Sequence, residues 1–139
     1  MNVQEDSMIR YALVGLKLLL VGGDPRPNAI EKIESSLWLD EAIHCPTRKS
    51  DASAWRFSSQ LRTPHLALVV CARGLTRTQH GADLHKLCRE LDLPLLNCNH
   101  LPHPNALVAA VANARLTRAL IQRCAHFKPG ITQLIGGAA

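Results

Sequence analysis

The sequence predicts a three-layer α/β fold built on a doubly wound parallel sheet of four or five strands. Short apolar runs alternate with amphipathic stretches of helical period, which is typical of strands joined by crossover helices. Hydrophobic residues make up 47% of the 139 residues and aromatic residues only 4%, which indicates one core of aliphatic side chains. Such alternation favours a flavodoxin-like or Rossmann-like sheet with strand order 2-1-3-4.

Four apolar runs predict the strands. They are residues 18–21, 41–45, 66–71 and 93–98, with 131–135 as a candidate fifth strand. The first and third runs are continuously aliphatic, which predicts central strands that are buried on both faces. Residues 41–45 contain fewer apolar and more polar side chains than the other runs, which predicts an edge strand.

Helical spacing of apolar residues predicts four helices. They begin near residues 24, 50, 76 to 78 and 103, and the last runs to about residue 127. Asp24 and Pro25 suit a helix cap and first turn, and Pro104 suits the first turn of the last helix. The chain is therefore divided into an N-terminal segment, 1–15, a single α/β domain, 16–128, and a loosely ordered tail, 129–139.

Composition also predicts the cellular setting. No window reaches the roughly 18 apolar residues that a membrane span needs, and the first six residues are acidic rather than basic. The five cysteines are odd in number and contain no C-x-x-C pair, which favours reduced thiols. We expect a cytoplasmic protein with no membrane partner.

The last predicted helix is apolar around more than half of its circumference. One face of a four-stranded sheet covers only part of that apolar surface. The apolar surface that is left uncovered predicts a homo-oligomer through this helix, most simply a symmetric dimer. The alternative is that residues 8–16 pack on the same surface.

The carboxyl edge of the sheet is the predicted binding site, because ligands of open parallel sheets bind there. Glycines after the first strand let the backbone approach a phosphate, and helix N-termini and arginines favour anions. The predicted ligand-binding residues are Gly22, Gly23, Asp24, Arg26, Arg73, Thr76, Arg77, Thr78, His80 and Asn99. The turn matches neither the dinucleotide-binding nor the P-loop spacing, so a tight turn capped by Asp24 is the alternative.

This pattern predicts a regulatory or ligand-binding domain that holds a small anionic ligand, rather than an enzyme. The sequence identifies no cofactor and no catalytic residue. Metal binding, in a sensor or an enzyme, is a second hypothesis for the same edge, because thiolates and imidazoles are common ligands of zinc and other transition metals. The candidate metal ligands are His44, Cys71, Cys98, His100 and His103. The alternative is that the cysteines are small buried side chains and the histidines belong to loops.

Binding of nucleic acid by basic helices is a third hypothesis. The chain has 16 basic and 11 acidic residues, a net charge of +5. The basic residues form two groups, Arg48, Lys49, Arg56 and Arg62 around the second helix and Arg115, Arg118, Arg123 and Lys128 along the last. Arg115 and Arg118 would share a helix face and meet phosphates. A solvated basic face is the alternative, since only Trp55 offers an aromatic ring nearby.

Four short motifs resemble a bacterial family of uncharacterised domains, domain of unknown function 2325. They are Leu-Leu-Val-Gly-Gly at 19–23, Leu-Val-Val-Cys at 68–71, His-Lys-Leu-Cys at 85–88 and Asp-Leu-Pro-Leu at 92–95. The resemblance covers residues 17–111 and implies an α/β fold in a bacterial cytoplasm, without an established reaction. The family's Cys-x-Ser-His-like stretch is replaced here by Gly-Leu-Thr-Arg-Thr-Gln-His at 74–80. The resemblance therefore implies no function that depends on that stretch.

Overall fold

A computed structural model describes residues 3–22, 28–45, 58–72, 78–99 and 102–131. In these ranges one parallel sheet contains β1 (Lys17–Val21), β2 (Glu41–Cys45), β3 (Leu66–Ala72) and β4 (Leu95–Cys98). The strand order is β2-β1-β3-β4, as predicted. Of the candidate fifth strand, only residue 131 lies within the described residues.

Helices cover both faces of the sheet. They are α1 (Val3–Leu13), α2 (Ala29–Ser36), α3 (Ser58–Leu61), α4 (Thr78–Glu90), α5 (Pro104–Asn113) and α6 (Thr117–Cys124). Leu18 and Leu20 of β1 pack in a cluster with α1, α2, α5 and α6, whereas Leu19 and Val21 pack with α3 and α4. Because successive side chains of a strand point to opposite faces, these two clusters lie on either side of the sheet and give the predicted three layers.

The central strands are the most buried part of the molecule. Every residue of β3 is buried, as are Leu18, Leu19, Leu20 and Val21 of β1. Only Ala42 and Cys45 of β2 are buried, and this strand lies at one edge, as its polarity predicted. Continuous aliphatic runs thus occupy the centre, where both faces are covered by helices.

The N-terminal segment contains a helix, α1, to which the sequence analysis assigned no structure. Its residues Ile9 and Leu13 are fully buried in the cluster that also contains Leu107 and Val111 of α5 and Leu120 of α6. The apolar surface of the last helical region, which predicted a homo-oligomer, is therefore contacted by α1 of the same chain. This contact corresponds to the alternative in which residues 8–16 pack there.

The prediction of one helix from residue 103 to residue 127 is wrong. The helix breaks between α5 and α6 at Arg115, whose φ is +58°. The Arg115 N–H donates to the Ala112 carbonyl at 3.0 Å, and the Leu116 N–H donates to the Val111 carbonyl at 3.0 Å. The prediction that Arg115 and Arg118 share a helix face required one continuous helix. The break places them on no such helix.

Other helix boundaries agree with the sequence where the structure describes them. The helix α4 begins at Thr78, and α5 begins at Pro104. The predicted starts near residues 24 and 50 lie outside the described residues. Among the helices of the described ranges, none combines the length and the apolar composition that crossing a bilayer requires.

Candidate functional site

The strands β1 and β3 lie side by side at the centre, but their crossover helices lie on opposite faces. The chain runs from β1 through α2 to β2 on one face, and from β3 through α4 to β4 on the other. Val21, the last residue of β1, pairs with both Cys45 and Cys71. The two connections therefore diverge beyond the carboxyl ends of β1 and β3, which is the position of the ligand-binding crevice in open α/β sheets.

Gly22 forms the turn that leaves β1. Its φ is +79°, which a glycine adopts without steric cost. Its N–H donates to the Cys45 carbonyl at 2.9 Å, and its carbonyl accepts a hydrogen bond from Nε2 of His44 at 3.0 Å. His44 therefore carries a proton on Nε2, and both backbone polar groups of Gly22 are bonded to β2.

Three of the other predicted ligand-binding residues lie within the described residues. Thr78 and His80 lie in the first turn of α4, and Asn99 is an exposed residue directly after β4. Six more lie outside the described residues, in the segments that follow β1 and β3. These are Gly23, Asp24, Arg26, Arg73, Thr76 and Arg77.

Sequence reasoning missed a polar link at the same edge. The Asn97 side-chain amide Nδ2 lies 3.1 Å from Nε2 of His85, which accepts its hydrogen bond. Asn97 is on β4, paired with Cys71 of β3, and His85 is on α4. The signal in the sequence was a polar residue inside an apolar strand, Leu-Leu-Asn-Cys. The link ties α4 to the edge strand next to the crevice.

The candidate metal ligands within the described residues do not form a metal-binding group. His44 bonds Gly22, Cys71 belongs to the cluster on the α4 face, and Cys98 packs against the opposite cluster. His103 precedes α5 with an extended backbone, and its carbonyl accepts from the Leu107 N–H. His100 lies outside the described residues. Within the described ranges no three His, Cys, Asp or Glu side chains form a metal-binding group.

Burial keeps the neighbouring thiols protonated. Burial, with a smaller contribution from the nearby Cys71, raises the pKa of Cys88 to about 12. Burial, with a smaller contribution from Cys71, also raises the pKa of Cys98. Since the thiolate is the nucleophile and the metal ligand, Cys88 and Cys98 are poorly suited to either role at neutral pH.

Two of the basic residues proposed to contact nucleic acid have internal partners. The guanidinium of Arg123 donates to the Leu66 carbonyl from Nε at 3.0 Å and to the Leu91 carbonyl from Nη1 at 3.4 Å. The ammonium of Lys128 donates to three carbonyls at the end of α1. Of the basic group along the last helical region, Arg115 and Arg118 are the exposed members, and Arg115 lies in the break between α5 and α6 whereas Arg118 lies in α6.

Comparisons with protein-family models, with curated proteins and with solved structures each find no match to this chain. The resemblance to domain of unknown function 2325 thus rests on the four short motifs and on the α/β fold that it implies.

Proposed function

We propose that this protein is a regulatory or ligand-binding domain that holds a small anionic ligand in the crevice between the ends of β1 and β3. The observation that carries the proposal is that the connections after β1 and β3 lie on opposite faces of the sheet, next to the Gly22 turn. In parallel α/β sheets this position places backbone N–H groups and helix N-termini next to a bound ligand.

The chemistry of the adjoining segments favours an anion. Arg26 follows β1, and Arg73 and Arg77 follow β3. Guanidinium groups form charge-assisted, often bidentate hydrogen bonds with phosphates and carboxylates. The described edge adds the His44–Gly22 and Asn97–His85 hydrogen bonds. Burial raises the pKa of the Cys98 thiol at this edge, which disfavours nucleophilic catalysis by that residue. The motif resemblance extends the proposal to a bacterial cytoplasmic setting.

Ligand-dependent thermal stabilisation tests this function. The full chain is heated with inorganic phosphate, a nucleoside monophosphate or the matching uncharged nucleoside. We expect the phosphate-bearing compounds to stabilise it, by about 2.7 kcal/mol when the ligand concentration is 100 times the Kd. The double variant Arg73→Gln, Arg77→Gln should lose most of this stabilisation.

The control is a double variant with the same charge change elsewhere, Arg62→Gln with Arg118→Gln, both of which are exposed. It should retain the stabilisation. A nucleoside that stabilises as well as its phosphate would contradict anion recognition, and equal losses in the two double variants would place the effect in net charge rather than in the crevice.

A further inference from the structure

A second cleft lies at the opposite, amino-terminal edge of the sheet, between the end of α4, the start of β4 and α6. Its volume is about 430 Å³, within the range of small-molecule sites. Leu93 and Pro94 are buried and supply an apolar floor, while Arg89, Arg123 and His126 line the walls. The cleft therefore combines an apolar surface with two guanidinium groups and an imidazole.

Arg123 is the fixed cation of this cleft. Its two hydrogen bonds to the Leu66 and Leu91 carbonyls hold the guanidinium in place, and its Cζ lies 5.4 Å from the centroid of the Phe127 ring. All these partners are uncharged. A guanidinium has five N–H donors, and these two bonds use two of them.

The cleft has an excess of positive charge. Asp92 is the one carboxylate among its lining residues, against the guanidinium groups of Arg89 and Arg123. The ion pairs of the described chain involve Arg10 and Lys17, and neither cleft arginine. Burial lowers the pKa of Arg123, partly offset by the attraction of Cys124 and Asp92. A ligand with a negative charge would stabilise the cationic side chain.

We propose that this cleft is a binding site for a small organic anion, with a carboxylate or phosphate group on Arg123 and Arg89 and an apolar body on Leu93 and Pro94. This site is separate from the crevice at the carboxyl edge, because the cleft is lined by the last residues of α4 and by Leu93 and Pro94, which directly precede β4. The chain would then have two sites for anions at opposite edges of one sheet.

The test is a titration of ¹⁵N-labelled full chain with benzoate, phenyl phosphate and neutral benzamide, followed by amide chemical shifts. We expect at least one of the two anions to give saturable shifts at Leu93 and Gln122, and benzamide to give much smaller ones. Saturable shifts from neither anion would overturn the proposal. So would shifts of equal size from benzamide, or shifts confined to Gly22 and Asn97 at the carboxyl edge.

Variants of the lining residues distinguish the effect of the cleft's charge from the effect of its volume. Arg89→Gln removes an exposed lining charge and should weaken the apparent affinity about tenfold, equivalent to 1.4 kcal/mol. Ala119→Phe leaves the charges intact and fills the cleft, so it should abolish the shifts. Arg118→Gln, on the same helix as Arg123 but outside the cleft, is the matched control. Equal weakening by Arg118→Gln, or full affinity in Ala119→Phe, would refute the site.

Discussion

Lys128 stabilises the end of α1 by donating hydrogen bonds to its last carbonyls. Its Nζ lies 2.6 Å from the Tyr11 carbonyl oxygen, 3.1 Å from that of Ala12 and 3.0 Å from that of Val14. The last carbonyls of a helix have no partner within the helix, and a positive charge is favourable there. A residue that the sequence grouped with nucleic-acid contacts is thus a link between the end of the chain and its first helix.

Replacing Lys128 by Met keeps the apolar stem and removes the donor. We expect the free energy of unfolding to fall by about 1.5–3 kcal/mol, the range for hydrogen bonds to charged groups, in urea denaturation. Lys86→Met, at an exposed position of α4, is the control and should change stability by less than about 0.5 kcal/mol. Equal effects of the two changes would show that Lys128 stabilises only through net charge.

Single residues also show what the sequence predicts about the site. Gly22 was predictable because a glycine directly after an aliphatic run indicates a turn with positive φ. The Asn97–His85 hydrogen bond was not, because it joins a strand to a helix twelve positions earlier. Local spacing carries no information on such a contact. The same holds for Arg123, whose carbonyl partners lie 57 and 32 positions away.

Three helices, α2, α4 and α5, end in the same motif. A non-glycine residue with φ between 54° and 58° follows each helix, and the leucine after it donates its N–H to the carbonyl five residues earlier. The positive-φ residues are Trp38, Asp92 and Arg115, and the leucines are Leu39, Leu93 and Leu116. This is the Schellman arrangement, in which an apolar contact of the following residue accompanies the hydrogen bonds.

The motif explains why the sequence predicted the start of α5 but not its end. Strands were recognisable as aliphatic runs, and α5 began where Pro104 suits a first helical turn. The end of α5 was missed because helices that close in this way usually carry glycine at the positive-φ position, and here an arginine occupies it. The apolar pattern continues through Ala-Arg-Leu at 114–116, so the period alone predicted an unbroken helix.

Arg115→Gly should stabilise the protein. A non-glycine side chain in the left-handed region costs about 1–2 kcal/mol per residue, whereas glycine adopts it freely. Glycine gains more entropy on unfolding, which offsets part of this stabilisation. We therefore expect a net increase of about 0.5–1 kcal/mol in the free energy of unfolding, measured in urea.

The matched control for that change is Arg118→Gly, three positions later inside α6. There the backbone is helical, and glycine should cost about 1 kcal/mol. Opposite signs for the two changes are the expected result. Destabilisation by both would mean that the Arg115 side chain contributes more to stability than its backbone conformation costs.

At the scale of the whole molecule, α1 completes one of the two helical layers. Its buried side chains Ile9, Ala12 and Leu13 share a cluster with the sheet and with α5 and α6. The outer surface of α1 is polar apart from exposed residues such as Val3 and Tyr11. Self-association through the last helical region stays a prediction, and α1 occupies the apolar surface from which it was inferred.

Deleting residues 1–13 tests whether that surface drives self-association. The deletion uncovers the apolar residues of α5 and α6, and contiguous exposed apolar patches promote association. We expect the truncated chain to self-associate more strongly than the full chain, with a dissociation constant at least about tenfold lower in sedimentation equilibrium. Circular dichroism checks that the helices and the sheet of the truncated chain persist. The control is Val3→Ser, at a position of α1 that is 83% exposed, and it should leave association unchanged. An unchanged dissociation constant after the deletion would show that the covered face does not mediate self-association, and a weaker dimer would show that α1 itself forms the interface.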